Sequence, residues 1–164
     1  MRRQHPAFIL WCNVYLDSSS DRAIVAQCFN HGGLQSEVAG EARLVEAADE
    51  VELGRETLAA LNACRCEPSF NYRNRKKSDW PAYGVSGESS ITRFEQRWRR
   101  FRVAGANDSN IVWELSIVLN EDYQLTMTVV VPQRNDPIRL GRGIRYLSTQ
   151  AQRFVQQPET RPPD

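Results

Sequence analysis

The chain has 164 residues, a formal net charge of +1, 41% hydrophobic and 25% charged residues, a composition suited to a soluble domain that buries a core without metal or disulfide staples. Near-neutrality excludes the bulk basic excess of a general nucleic-acid binder and names no partner. Charge is nonetheless segregated: residues 1–60 hold five Lys/Arg against nine Asp/Glu, residues 61–102 ten against four, and residues 103–164 six against seven, so opposed patches are expected.

The N-terminal "MRRQHPAFILWCNVYL" has a basic start and a short apolar run. It makes a poor signal peptide, because Asn13 interrupts the run, Trp11 and Tyr15 are bulky, and no small-residue cleavage site follows. The run is also too short to span a bilayer. Its strand formers instead predict a β-strand covered on both faces, ending at the turn cluster "DSSSD". "RAIVAQCF" reads equally as strand or short helix, closed by "NHGG". "EARLVEAA" is read as a further strand.

"DEVELGRETLAALNAC" is the clearest helix. Asp49 caps it, with Glu52 three residues on in a capping box. Val51, Leu53, Leu58, Leu61 and Cys64 supply the apolar face, and the acids crowd the first turns where the helix dipole favours them. "RCEPSFNYRNRKKSDWPAYGVSGES" is read as an irregular centre, long enough to be a functional loop.

"SSITRFEQRWRRFRV" interleaves arginines with aromatics. Ile91, Phe94, Trp98 and Phe101 fall on one helical face and Arg93, Arg97 and Arg100 on the other, with a turn to strand near "FRV". The aromatics are therefore expected inside, whereas a single-strand grip needs them exposed. "NIVWELSIVL" and "YQLTMTVVVP" read as an antiparallel hairpin, and "DPIRLGRGIRYLSTQAQRFV" as a second amphipathic helix. Asp136 caps that helix, Pro137 suits its first position, and Leu140, Ile144, Leu147, Ala151 and Phe154 form its stripe. The expected fold is α+β: a largely antiparallel sheet with two main helices packed on it, one domain over residues 1–155, and a disordered proline-rich tail over 156–164.

The chemical inventory is thin. Cys12, Cys28, Cys64 and Cys66 make no convincing disulfide framework, and with only His5 and His31 no zinc spacing is visible, so a reducing cytoplasm is expected. "NHGG" resembles an esterase oxyanion loop, but "GVSGE" only approaches a nucleophile elbow. No phosphate-binding loop or dinucleotide fingerprint is present, and no cofactor is implied. Four bases, Arg73, Arg75, Lys76 and Lys77, lie beside Phe70, Tyr72 and Trp80; that loop is either a solvated charge run or a small nucleic-acid-binding module over residues 70–80.

Four segments carry a resemblance: "ELGRETLAAL" (52–61), "SITRFEQ" (90–96), the strand pair ending in "VVVP" (129–132), and "DPIRLGRGIRYL" (136–147), which repeats the Leu-Gly with Arg139 in place of the preceding acid. In this order they resemble the contact-dependent growth inhibition immunity proteins. The resemblance implies a cytoplasmic, non-catalytic bacterial protein that binds and blocks the C-terminal toxin domain of its cognate partner, often a nuclease, with no direct role for nucleic acid or membrane. Glu46, Asp49, Glu50, Glu52 and Glu56 are then candidates for a basic toxin cleft, with Arg73, Arg75, Lys76 and Lys77 as a second contact region. The same acids also serve capping and solubility, and both readings stay open at this point.

Overall fold

A computed structural model describes residues 10–31, 34–67, 76, 79–105, 110–118, 124–132 and 136–156. The fold is α+β. Among the described residues, seven strands form one sheet: β1 (Trp11–Asp17), β2 (Arg22–His31), β3 (Leu34–Glu46), β4 (Arg65–Cys66), β5 (Trp98–Gly105), β6 (Asn110–Val118) and β7 (Gln124–Pro132). Their order is β3-β2-β1-β5-β6-β7, each neighbouring pair antiparallel, with the short β4 parallel to β2 beside Phe29 and Asn30. The helices are α1 (Glu50–Asn62), α2 (Pro81–Ser86), α3 (Ile91–Arg97) and α4 (Pro137–Gln156).

β1 runs through the middle of the sheet, which is why its sequence is apolar without strict alternation. Cys12, Val14 and Leu16 point to one face, where they meet Phe101, Val103, Trp113 and Leu115, and the long helices α1 and α4 close over them. Tyr15 points to the other face, into a cluster with Ile24, Ala26, Ala42, Phe94 and Trp98 beneath α2 and α3. "RAIVAQCF" resolves as strand because its β-branched residues are buried on both sides. β3 begins well before "EARLVEAA" and carries extra residues: Ala42 pairs with Ala26 but Glu37 with Cys28, and Gly40 sits at φ 76° in the bulge between.

α1 and α4 have the expected caps. The Asp49 carboxylate accepts from the Val51 and Glu52 amides, and the Asp136 carboxylate from the Arg139 amide. Leu53 and Leu61 of α1 and Leu140, Ile144, Leu147 and Ala151 of α4 are buried. Val51 is a correction: it is 48% exposed and lies off the stripe. The side chain of Phe154 and the tail from residue 157 lie outside the described residues, as do residues 1–9.

Each Leu-Gly pair meets the other long helix. A Cβ on Gly54 would lie 1.8 Å from the Pro137 carbonyl oxygen, and one on Gly141 would lie 1.9 Å from the Glu50 carbonyl oxygen. Each helix thus presents its glycine to the first turn of the other, so their backbones touch where any side chain would hold them apart.

Two expectations about the middle of the chain are corrected. The irregular centre contains α2, and the expected helix through Phe101 stops at Arg97, where Trp98 turns extended and opens β5. Phe94 and Trp98 therefore enter the α2/α3 cluster, while Phe101 faces the α1/α4 core. All three are buried, so the aromatics do point inward.

Candidate partner-binding surfaces

The acidic segment sits where the N-termini of two helices converge. Partial positive charge from both helix dipoles collects there, and carboxylates offset it. Asp49 is committed to capping α1. Glu50 accepts from Arg142 of α4 at 2.8 Å, and Arg145 donates to the Ala48 carbonyl at 3.2 Å. Glu56 is paired with Arg43 of β3 at 3.5 Å and with Arg55 at 3.4 Å, while Glu52 lies 4.0 Å from Arg55. Glu46 ends β3 on the surface, opposite Arg22 in the ladder. The structure brings Asp49, Glu50, Glu52 and Glu56 onto one helix and answers the three glutamates with arginines. These are solvated pairs of small individual energy, but they leave little unbalanced negative charge on α1.

Of the basic candidates, Arg73, Arg75 and Lys77 lie outside the described residues, as do Phe70 and Tyr72. Lys76 is exposed, and its amide donates to the Asp79 carboxylate at 3.0 Å, shortly before α2. Trp80, the aromatic that would stack on a base, is engaged instead. Its indole N–H donates to the Tyr15 hydroxyl at 3.2 Å, and its ring meets Phe94 edge-on at 5.0 Å.

Two buried carboxylates were not singled out from sequence. Glu37 of β3 lies under α2. One oxygen accepts from the Asn13 side chain at 2.9 Å and from the Tyr15 hydroxyl, and the other accepts from the Ala82 amide at 3.1 Å. α2 has no side-chain cap of its own at Trp80, so Glu37 caps it from across the fold. Burial, with the nearby Glu37 charge, pushes the Tyr15 phenol well above its usual range.

Asp17, at the end of β1, is the second. It accepts from the Ser19 amide and hydroxyl, the Ser20 hydroxyl and Arg22, and takes both prongs of Arg97, at 2.9 and 2.7 Å. Burial alone would raise its pKa; the Arg97 fork and the serine donors outweigh that and hold the carboxyl well below the usual carboxylate range. Arg97, expected to be a free surface charge, also reaches Glu88 at 3.1 Å and is a structural residue. Arg93 and Arg100 are exposed as expected.

His31 is buried at the end of β2, its Nε2 2.8 Å from the Ser36 hydroxyl. Ser86, the serine of "GVSGE", is buried too, donating to the Tyr83 carbonyl and accepting from the Glu88 amide. The four cysteines are free thiols, and burial raises the pKa of Cys12, Cys28 and Cys64. Among the described residues, no group of three or more His, Cys, Asp or Glu is placed to hold a metal ion, and no helix is long and apolar enough to cross a membrane.

The remaining surface of note is on the α2/α3 side of the sheet. The two short helices cover β1, β2 and β3 there; among the described residues, no helix covers β6 or β7 on that side. Directly opposed residues form two rows across the open part: Trp11, Ala104, Val112, Val130, and Asn13, Arg102, Glu114, Thr128.

No family model matches the chain, and no curated protein matches it. Among solved structures the chain is similar to NMB0488, a protein of unknown function from Neisseria meningitidis, with a TM-score of 0.68 and 14% identity over 91% of this chain and 98% of that one. At that identity the likeness is one of fold.

Proposed function

We propose that this chain is an immunity protein of the contact-dependent growth inhibition type: a cytoplasmic protein that binds a cognate toxin domain, of the nuclease class, and neutralises it without catalysis. The observation that carries the reading is the α1–α4 crossing, in which Gly54 meets Pro137 and Gly141 meets Glu50. The two Leu-Gly segments that carry the resemblance are far apart in sequence and fit against each other in space. The serine of the second segment, Ser90, caps α3, and its phenylalanine, Phe94, is the hub of the aromatic cluster. The resembling residues therefore hold structural positions on both faces of the sheet. The engagement of His31 and Ser86 in local hydrogen bonds favours binding over hydrolysis.

The test reads the neighbouring genes for a large secreted protein encoded directly upstream and co-expresses the C-terminal domain of that protein with this chain; the absence of such a gene would count against the proposal. Cells making that domain alone should stop growing, and cells making both proteins should grow, with a complex recoverable by size-exclusion chromatography. His31→Ala should protect as well as the parent chain. Growth arrest despite a folded chain, with no complex formed, would sink the proposal.

A further inference from the structure

We infer that the docking surface is the open part of the sheet on the α2/α3 side, centred on Arg100 and Arg102, and that it takes an acidic protein surface; this rests on the reading of the chain as a toxin-neutralising protein. The α1 face is the weaker candidate, because arginines of the same chain already answer Glu50, Glu52 and Glu56. On the open sheet the balance is reversed. Arg100 is exposed with no ion pair among the described residues. Arg102 lies 5.0 Å over the Trp11 ring, and its carboxylate neighbour Glu114 is 3.9 Å away, at the limit of an ion pair. Val112 is half-buried beside them, and Val130 is 58% exposed on the edge strand β7.

Cations next to an aromatic, a half-buried valine and an exposed one, all held on a sheet, make a surface of the kind that carries binding energy between proteins. The Arg102 guanidinium is already parked on Trp11, so less rotamer freedom is lost on docking. Lys76 is exposed, its amide bonded to Asp79 next to Trp80, and Trp80 packs on Tyr15, the ladder partner of Arg100. A nucleic acid fits less well. Phosphate tracking needs a run of cations free of carboxylates, and base stacking needs bare aromatic faces. Here Glu114 interrupts the cations, Arg102 covers Trp11, and Trp80 is packed against Tyr15 and Phe94.

The experiment uses the toxin domain identified by the co-expression test above, and measures its stopped-flow association and equilibrium binding to the wild-type chain and three variants. The Arg100→Glu/Arg102→Glu variant should bind about 100-fold more weakly, mostly through slower association, and the gap should shrink as salt rises. Val130→Asp should weaken binding about tenfold. Glu50→Lys/Glu56→Lys should stay within about threefold of wild type. Circular dichroism melts confirm that each variant is folded; if the arginine pair unfolds the chain, Arg100→Ala and Arg102→Ala taken singly replace it. Tight wild-type binding unchanged by the sheet variants and lost in the α1 variant overturns the surface assignment while leaving the immunity reading intact. No wild-type complex at all removes both. In a parallel gel shift with labelled RNA and duplex DNA of about 20 nucleotides, wild-type binding that falls steeply with salt and disappears in the arginine variant overturns the choice of a protein partner.

Discussion

The two faces of the sheet are closed by different physics. On one face, two long helices bury a continuous aliphatic core, and glycines bring their backbones into contact. On the other, two short helices cover only part of the sheet and are tied down by directional bonds: Glu37 to the α2 amide, Asp17 to Arg97, and a ring cluster around Phe94. Short helices carry too little apolar area to dock by burial alone, so polar groups at their ends hold them. The first arrangement tolerates no added volume at its crossing. The second tolerates changes of surface but not the loss of a buried acceptor.

The sharpest way to break the comparison is at the glycines. Gly54→Ala and Gly141→Ala should each cost about 4 kcal/mol or more, because the new Cβ meets backbone that cannot rotate away. A denaturant melt close to wild type would mean that α1 and α4 are not in such close contact. On the opposite face the largest loss should come from Phe94→Ala or Trp98→Ala, about 3–5 kcal/mol each, the usual range for truncating a buried ring.

Asp17→Ala should cost about 3 kcal/mol by leaving the Arg97 fork and the serine donors without their acceptor. It also gives a pH signature. The folded-state pKa lies below the unfolded value of about 3.9, so the stabilisation is present above that value and is lost as pH falls below it. Urea midpoints measured from pH 6 down to pH 3 should therefore fall more steeply for wild type than for Asp17→Asn. Parallel curves would show that Asp17 is not held in its charged form. Glu37→Gln should have a smaller effect, about 1–3 kcal/mol, since the amide keeps one acceptor but loses the charge that takes three donors. Its consequence should be local, with faster amide exchange in α2 than in α4.

Much of the first face was legible in sequence. Asp49 and Asp136 are local caps, and the stripes from Leu53 to Leu61 and from Leu140 to Ala151 need no knowledge of the partner helix. What the Leu-Gly pairs are for was not legible, because each glycine is explained only by the other helix. The second face was harder for the same reason carried further. α2 has no cap in its own sequence, since Glu37, which caps it, is 45 residues away. Arg97 reads as a surface charge until Asp17, 80 residues away, is brought to it. The 3-4-3 spacing of Ile91, Phe94, Trp98 and Phe101 fits one helix, yet the chain turns to strand at Trp98 and divides its aromatics between two cores. For the candidate site, the acids were legible as acids and their arginine partners were not: Arg142 meets Glu50 from 92 residues away. The open sheet is a property of which strands the helices leave bare, and no local pattern encodes that.

The α1–α4 crossing also bears on how fast the molecule comes apart. The contact of Glu50 with Gly141 and Arg142 closes most of the chain into a loop, and contacts of such sequence separation form after local hairpins because the ordering entropy is paid first. During synthesis α4 emerges after all the other described elements, so α1 waits without its helix partner until α4 arrives. A late-forming lock weighs little on the climb to the transition state and heavily on the return. Loosening it at Gly54 should speed unfolding while leaving refolding nearly unchanged, and the lifetime of the folded chain, more than its rate of formation, is what the two glycines set.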